Sequence, residues 1–238
     1  MILLALDTCD SRGSLAVLRD EEVLTVIAHE GSTDYSSWVL PTAEAALQAS
    51  GLGLKEVDVF AVASGPGSFT GVRIGLTTVK AWSEAFGKKV ASVSRLEAMA
   101  VQSPDDSEYV AAFADAHREQ VFGGLYRREG TGLGLVEQEM VAAPAEFLLW
   151  VNEHSEHRPV GWISPDPDKV TALEEWQKHA KDGQRIELSS SVLAPMIGKI
   201  GLQRARDGRL VDALALDAEY IRRPDAETLW KGATGRGS

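Results

Sequence analysis

Two places in this sequence gather residue types that can do chemistry. Asp7 ends the apolar run 2–6 and is followed by Thr8 and Ser11. A carboxylate at a strand end, with hydroxyls beside it, can bind magnesium or orient water beside a nucleotide. The same aspartate can instead cap the turn that follows it. The second place is Ser64-Gly65-Pro66-Gly67-Ser68-Phe69-Thr70-Gly71-Val72-Arg73-Ile74-Gly75. It falls between a strand pattern and a helical one, where backbone N–H groups and the helix dipole can receive an anion. It is not a P-loop, because no lysine follows the last glycine and the spacing fails. Such turns also serve as plain structural joints. Asp7, Thr8, Gly67 and Ser68 are therefore the nucleotide candidates. Asp115 ends a similar apolar run and ranks behind Asp7, since Ala116 and His117 follow it.

Other chemistries find little support. Cys9 is the single cysteine, so an internal disulfide and a cysteine-built metal site are excluded. A small buried thiol in a reducing cytoplasm fits it better than a nucleophile does. The five histidines do not assemble a metal site: His154 and His157 lie in a polar stretch, and His29, His117 and His179 are isolated. No Gly-x-Ser-x-Gly elbow occurs; Gly65-Pro66-Gly67-Ser68 has the wrong order. The net charge of -11 repels a polyphosphate backbone, so in an RNA pathway something else must hold most of the RNA.

The elements that would position these residues follow from hydrophobic periodicity. With 238 residues the chain can build one large α/β domain or two small ones. No run approaches a membrane span, and the opening six residues are too short and lack basic flanks for a signal peptide. Strands are expected at 2–6, 14–19 and 23–29, then a helix over 34–50 with Pro41 either delaying its start or kinking it. A strand at 57–63 enters the glycine-rich turn, a helix follows over 68–86, and another strand covers 90–93. Ser94 and Glu97 have capping-box spacing. Strands are expected at 135–141 and 160–163, and helices at 144–152, 167–180 and 189–206.

A polar break at 103–107 suggests a boundary, with one domain over 1–103, a second over 108–225 and a flexible tail over 226–238. Laying 110–130 on 2–22 without a gap superposes Asp115 on Asp7, Arg127 on Arg19 and Glu129 on Glu21. Both copies run strand, aspartate, turn, strand, which suggests two related halves.

Within the second helix, Val72, Leu76, Val79, Ser83 and Phe86 form the stripe expected to face the sheet. Gly71, Gly75, Thr78 and Trp82 form a neighbouring stripe. A glycine in mid-helix costs ~1 kcal/mol against alanine, so Gly75 requires a reason, and close approach of another helix would supply one. That helix is either the 34–50 segment or one from a second subunit. Gly75→Leu is expected to disrupt association while leaving the fold largely intact.

The run 64–75 closely resembles the signature of the TsaB (YeaZ) family. Leu3, Ala5, Leu6, Asp7 and Thr8 resemble that family's opening strand. Asp115-Ala116-His117-Arg118-Glu119-Gln120-Val121-Phe122 resembles its second-half opening, and Glu219-Tyr220-Ile221-Arg222 its closing motif. The resemblance covers nearly the whole chain. It implies an ASKHA fold, the actin-like pair of ribonuclease H-like halves with mixed sheets flanked by helices. It also implies a non-catalytic cytoplasmic role beside TsaD, the catalytic paralogue, and TsaE, an ATPase. Together these transfer a threonylcarbamoyl group to adenosine next to the tRNA anticodon, with tRNA reached only through the complex. No cofactor and no membrane contact are expected. The first-domain helices are the implied contact surface for a homodimer and for TsaD, through Trp38, Phe69, Gly71 and Arg73, and through Ile74, Gly75, Thr78 and Trp82. TsaD-like proteins hold a metal with two histidines near the start of the first helix; here residues 34–39 contain none. The competing reading is an ATP-binding or ATP-hydrolysing enzyme of the actin-like class.

Overall fold

Strand β1 (Ile2–Asp7) runs through the middle of a five-stranded sheet, and Leu3, Leu4, Ala5 and Leu6 are all sealed from solvent. Burial on both faces explains why its sequence is a continuous apolar run with no alternation. The computed structural model describes residues 1–29, 33–104, 106–130, 132–181, 183–217 and 221. β2 (Ser14–Arg19) and β3 (Glu22–Ala28) return antiparallel on one side of β1. On the other side β4 (Val59–Gly65) and β5 (Lys89–Ser94) run parallel, giving the order β3-β2-β1-β4-β5. The crossovers are α1 (Tyr35–Ala49) and α2 (Phe69–Phe86). Pro41 lies inside α1, so the helix does not start late. α2 stops at Gly87, which takes the left-handed conformation that ends a helix.

The same topology recurs. β6 (Tyr109–Asp115) pairs antiparallel with β7 (Val121–Glu129), which pairs antiparallel with β8 (Gly132–Leu135). β10 (Val160–Ser164) and β11 (Ile186–Leu188) add parallel strands on the other side of β6, and β9 (Met140–Ala142) also pairs with β7. Substituting β6 for β1 reproduces the first sheet strand for strand. This is the duplicated ribonuclease H-like arrangement of the actin-like fold. The gapless register needs one correction. Asp7 pairs with Ser14, but Asp115 pairs with Val121, so the second turn is one residue shorter. Arg19 pairs with Ile2, and the counterpart of that pair is Tyr126 with Val110. The aspartates are equivalent; the matches at Arg127 and Glu129 are coincidence.

Two helices cross the expected boundary. α3 (Arg95–Ala100) follows β5 but packs on β6 and β7, while α7 (Ala194–Arg206) returns from the second half to cover β1, β2, β4 and β5. Gly198 and Gly201 bring the backbone of α7 onto Leu18 and Ala61. A cut at 103–107 therefore parts the two sheets but not their cores. The stretch expected as one helix over 167–180 divides into α5 (Asp168–Thr171) and α6 (Glu174–Lys181). Val170 and Trp176 are both buried. Six residues apart they would point about 120° away from each other on one helix, so the chain breaks between them. The expected strand at 135–141 likewise splits into β8 and β9, because Glu139 turns inward to Ser94 and Tyr126. α7 starts at Ala194 with Pro195 in its first turn, later than expected. α4 (Pro144–His154) completes the second half. The tail over 226–238 lies outside the described residues, as does most of the closing motif 219–222.

Candidate functional site

The two equivalent strands β1 and β6 each end in an aspartate, Asp7 and Asp115, near the junction that the Arg12–Asp166 pair bridges between the halves. Arg95 is the first residue of α3, so β5 delivers it beside the end of β1. Its Nε donates to Asp7 Oδ2 at 3.2 Å and its Nη2 to Asp10 Oδ2 at 2.8 Å. Asp7 Oδ1 accepts the Cys9 N–H at 2.9 Å. Arg95 is 3% exposed and Asp7 0%. Burial works against the charge on Arg95, but Asp7 and Asp10 outweigh it and raise the guanidinium pKa above its ordinary value. Burial likewise pushes Asp10 up, and Arg95 with Arg12 overcomes that, holding the carboxyl well below the usual range. Burial first, then Asp7, pushes the Cys9 thiol far up, so it stays protonated and is no nucleophile.

From Asp10 the ion pairs continue across the crevice. Arg12 donates to Asp10 Oδ2 at 2.8 Å and to Asp166 Oδ1 and Oδ2 at 3.1 and 3.3 Å. Asp166 Oδ2 also accepts the Asp115 N–H at 3.0 Å. Asp115 meets Lys169 Nζ at 3.0 Å and accepts the His117 N–H at 2.8 Å. Burial opposes ionisation of Asp115, and the Lys169 contact and that amide outweigh it and lower its pKa. Four aspartates thus converge, each answered by a cation from the chain itself. Among the described residues no group of three or more His, Cys, Asp and Glu is arranged to hold a metal.

The glycine-rich turn is packed onto the end of β1. A Cβ on Gly67 would lie 2.2 Å from the Cys9 carbonyl oxygen, one on Gly71 2.0 Å from the Thr8 carbonyl oxygen, and one on Gly75 2.5 Å from Thr8 Oγ1. Thr8 Oγ1 donates to the Gly71 carbonyl at 2.7 Å, and the Ser68 N–H donates to the Cys9 carbonyl at 2.6 Å. Ser68 caps α2, its hydroxyl accepting the Gly71 N–H at 3.4 Å. All four nucleotide candidates are thereby engaged inside the chain.

The small-residue stripe on α2 is corrected by the same contacts. Gly71 and Gly75 face their own domain, and it is β1 and its turn that approach them, not a helix. Trp82 is buried with its ring centroid 5.6 Å from that of Phe60. Gly75→Leu would strike Thr8 before it reached any partner. What α1 and α2 turn outward is different: Arg73 is exposed, and Trp38, Phe69, Ile74 and Thr78 are half-buried. Arg73 stacks over Phe69 at 3.6 Å from the ring centroid. Leu40, which had not been singled out, is 58% exposed on α1. The first turn of α1 offers no imidazole, and the ring nitrogens of nearby His29 face the Ser11 and Thr33 carbonyls at 3.2 and 2.7 Å.

The profile of the family described as "TsaD: tRNA N6-adenosine threonylcarbamoyltransferase" matches residues 25–186, from β3 to the start of β11. The chain belongs to the TsaD family. Within it the chain groups with the TsaB (YeaZ) proteins. It is 29% identical to the tRNA threonylcarbamoyladenosine biosynthesis protein TsaB of Bacillus subtilis over 167 residues, 70% of this chain and 72% of that protein. To TsaB of Escherichia coli it is 26% identical over 243 residues, 99% of this chain and all of that protein. The solved structure of YeaZ from Pseudomonas aeruginosa superposes with a TM-score of 0.72 at 26% identity, covering 92% of this chain and 99% of that one. A further solved chain, described as an uncharacterized protein with similarity to peptidase YeaZ, superposes at 0.71 with 27% identity over 93% of this chain and 99% of its own.

Sequence reasoning about this TsaD-family chain reached Asp7 and the glycine-rich turn but missed Asp10, Arg12, Tyr35, Arg95 and Asp166. Arg95 reads as an ordinary first-turn helix residue; its partner lies 88 positions away. Arg12 and Asp166 are 154 apart. No local pattern carries such pairings.

Proposed function

We propose that this chain is a non-catalytic partner of a TsaD homologue in threonylcarbamoyl transfer to tRNA. The observation that carries the reading is the occupation of Asp7, the leading strand-end candidate for holding magnesium or water, by the buried guanidinium of Arg95. Both oxygens of this carboxylate already accept hydrogen bonds, Oδ1 from the Cys9 N–H and Oδ2 from Arg95, and breaking the ion pair would leave a buried charge uncompensated. Membership of the TsaD family and the names of the TsaB relatives support the pathway. The net charge of -11 supports a role in which other subunits hold the RNA. Peptidase chemistry has no support: Cys9 is buried and protonated, and the crevice acids are paired. No helix among the described residues is long and apolar enough to cross a membrane.

The contact surface in this reading is the outward face of α1 and α2, with Trp38, Leu40, Arg73, Ile74 and Thr78. Exposed or half-buried aromatic, arginine and aliphatic side chains on adjoining helices have the composition of association surfaces. The same face serves a homodimer when no TsaD homologue is present.

Titration of magnesium-ATP into the purified chain, alongside gel filtration with a TsaD homologue, tests the proposal against the ATP-enzyme alternative. The expected result is co-elution with the TsaD homologue and no saturable heat from nucleotide. Stoichiometric, magnesium-dependent ATP binding by the chain alone would favour the enzyme.

A further inference from the structure

We propose that the turn at residues 10–13 couples the ends of β6 and β10 to the first turn of α1, so that making or breaking the Arg12–Asp166 contact is felt at the proposed docking helix. The functional sense of this coupling rests on the docking reading above; the coupling itself is a property of the isolated chain.

One side of the turn is anchored in the second half. Arg12 holds both carboxylate oxygens of Asp166 in a two-pronged contact, the most directional form of ion pair. Asp166 cannot follow Arg12 freely, because its N–H donates to Ser164 Oγ at 2.9 Å and its Oδ2 accepts the Asp115 amide. Through Asp166 the turn is tied to the ends of β6 and β10.

The other side of the turn is anchored in α1. Tyr35, the first residue of that helix, donates its hydroxyl to the Asp10 carbonyl and accepts the Gly13 N–H at 2.7 Å. The fit has no slack: a Cβ on Gly13 would sit 2.3 Å from the Tyr35 oxygen. His29 and Trp38 enclose the ring, with centroids 4.5 and 5.8 Å from it. Trp38 is itself on the proposed contact face. Asp10 joins the two sides, since its carboxylate takes Arg12 and Arg95 while its carbonyl takes Tyr35. Asp166, Arg12, Asp10 and Tyr35 therefore form one continuous chain of hydrogen bonds from the second half to the start of α1.

Hydrogen exchange on the full-length chain alone tests this. Asp166→Asn is compared with wild type, and Arg12→Gln, at a half-exposed side chain, replaces it if Asp166→Asn does not fold. The expected result is exchange on the order of fivefold faster in peptides covering 8–14 and 34–40, with α4 unchanged. In a Tyr35→Phe background the crevice variant should still accelerate 8–14 but no longer alter 34–40. Acceleration confined to the second half, with 34–40 unmoved, would overturn the coupling. Arg73→Glu tested for binding to a TsaD homologue reports separately on the docking reading, because that variant leaves the turn untouched.

Discussion

The Arg95 guanidinium lies 3.2 Å from the Asp7 carboxylate and 2.8 Å from that of Asp10, at a depth where Arg95 is 3% exposed. One buried cation thus holds two acids at the end of the central strand.

Removing that cation should be costly. Arg95→Ala leaves the buried Asp7 without its cation and Asp10 with Arg12 alone, and breaking a buried pair in this way costs about 3–5 kcal/mol. Equilibrium urea unfolding should show a lower midpoint with an unchanged slope. A midpoint within error of wild type would mean that the acids are solvated and the crevice is open.

The glycine-rich motif should behave as a packing joint. Gly71→Ala places a Cβ against the Thr8 carbonyl oxygen, an overpacking of roughly 1–3 kcal/mol. In a chain of this size that lowers Tm by about 2–4 °C per kcal/mol. Thermal unfolding of the variant checks it, and unchanged Tm would return the motif to the list of ligand-binding candidates.

Arg73→Glu should do the opposite. Arg73 is exposed on α2, so stability should stay within about 0.5 kcal/mol of wild type. Association with a TsaD homologue should weaken at least about tenfold, or ~1.4 kcal/mol. Sedimentation at matched concentration reads both that contact and the homodimer.

Much of this could be read in the sequence, and the failures share one cause. The duplicated strand–aspartate–turn–strand pattern, the glycine-rich turn and the α2 core stripe are local, so periodicity and spacing expose them. The meaning of Gly71 and Gly75 depended on which neighbour came close, and that neighbour, Thr8, is over sixty positions away in sequence. The same holds for the α7 crossing: its apolar face was legible, but not that it would cover the other half's sheet. Where a one-residue turn difference shifted the register, two apparent identities had no structural counterpart.

Acid sensitivity follows from Asp10. Its pKa in the folded chain lies below the ordinary 3.8, so the stability it contributes is fully present above that value and is lost as pH falls below it. Asp10→Asn removes this source of dependence. Unfolding free energy measured from pH 6 down to pH 3 should fall less steeply in the variant than in wild type; parallel curves would place the acid-sensitive group elsewhere.

Reconstituted transfer with one component left out at a time tests the central claim most directly. With TsaE and TsaD homologues, tRNA and an activated threonylcarbamoyl donor supplied, modified adenosine should form only when this chain and the TsaD homologue are both present. Modified tRNA accumulating from this chain and the activated threonylcarbamoyl donor, with the TsaD homologue omitted, would contradict it.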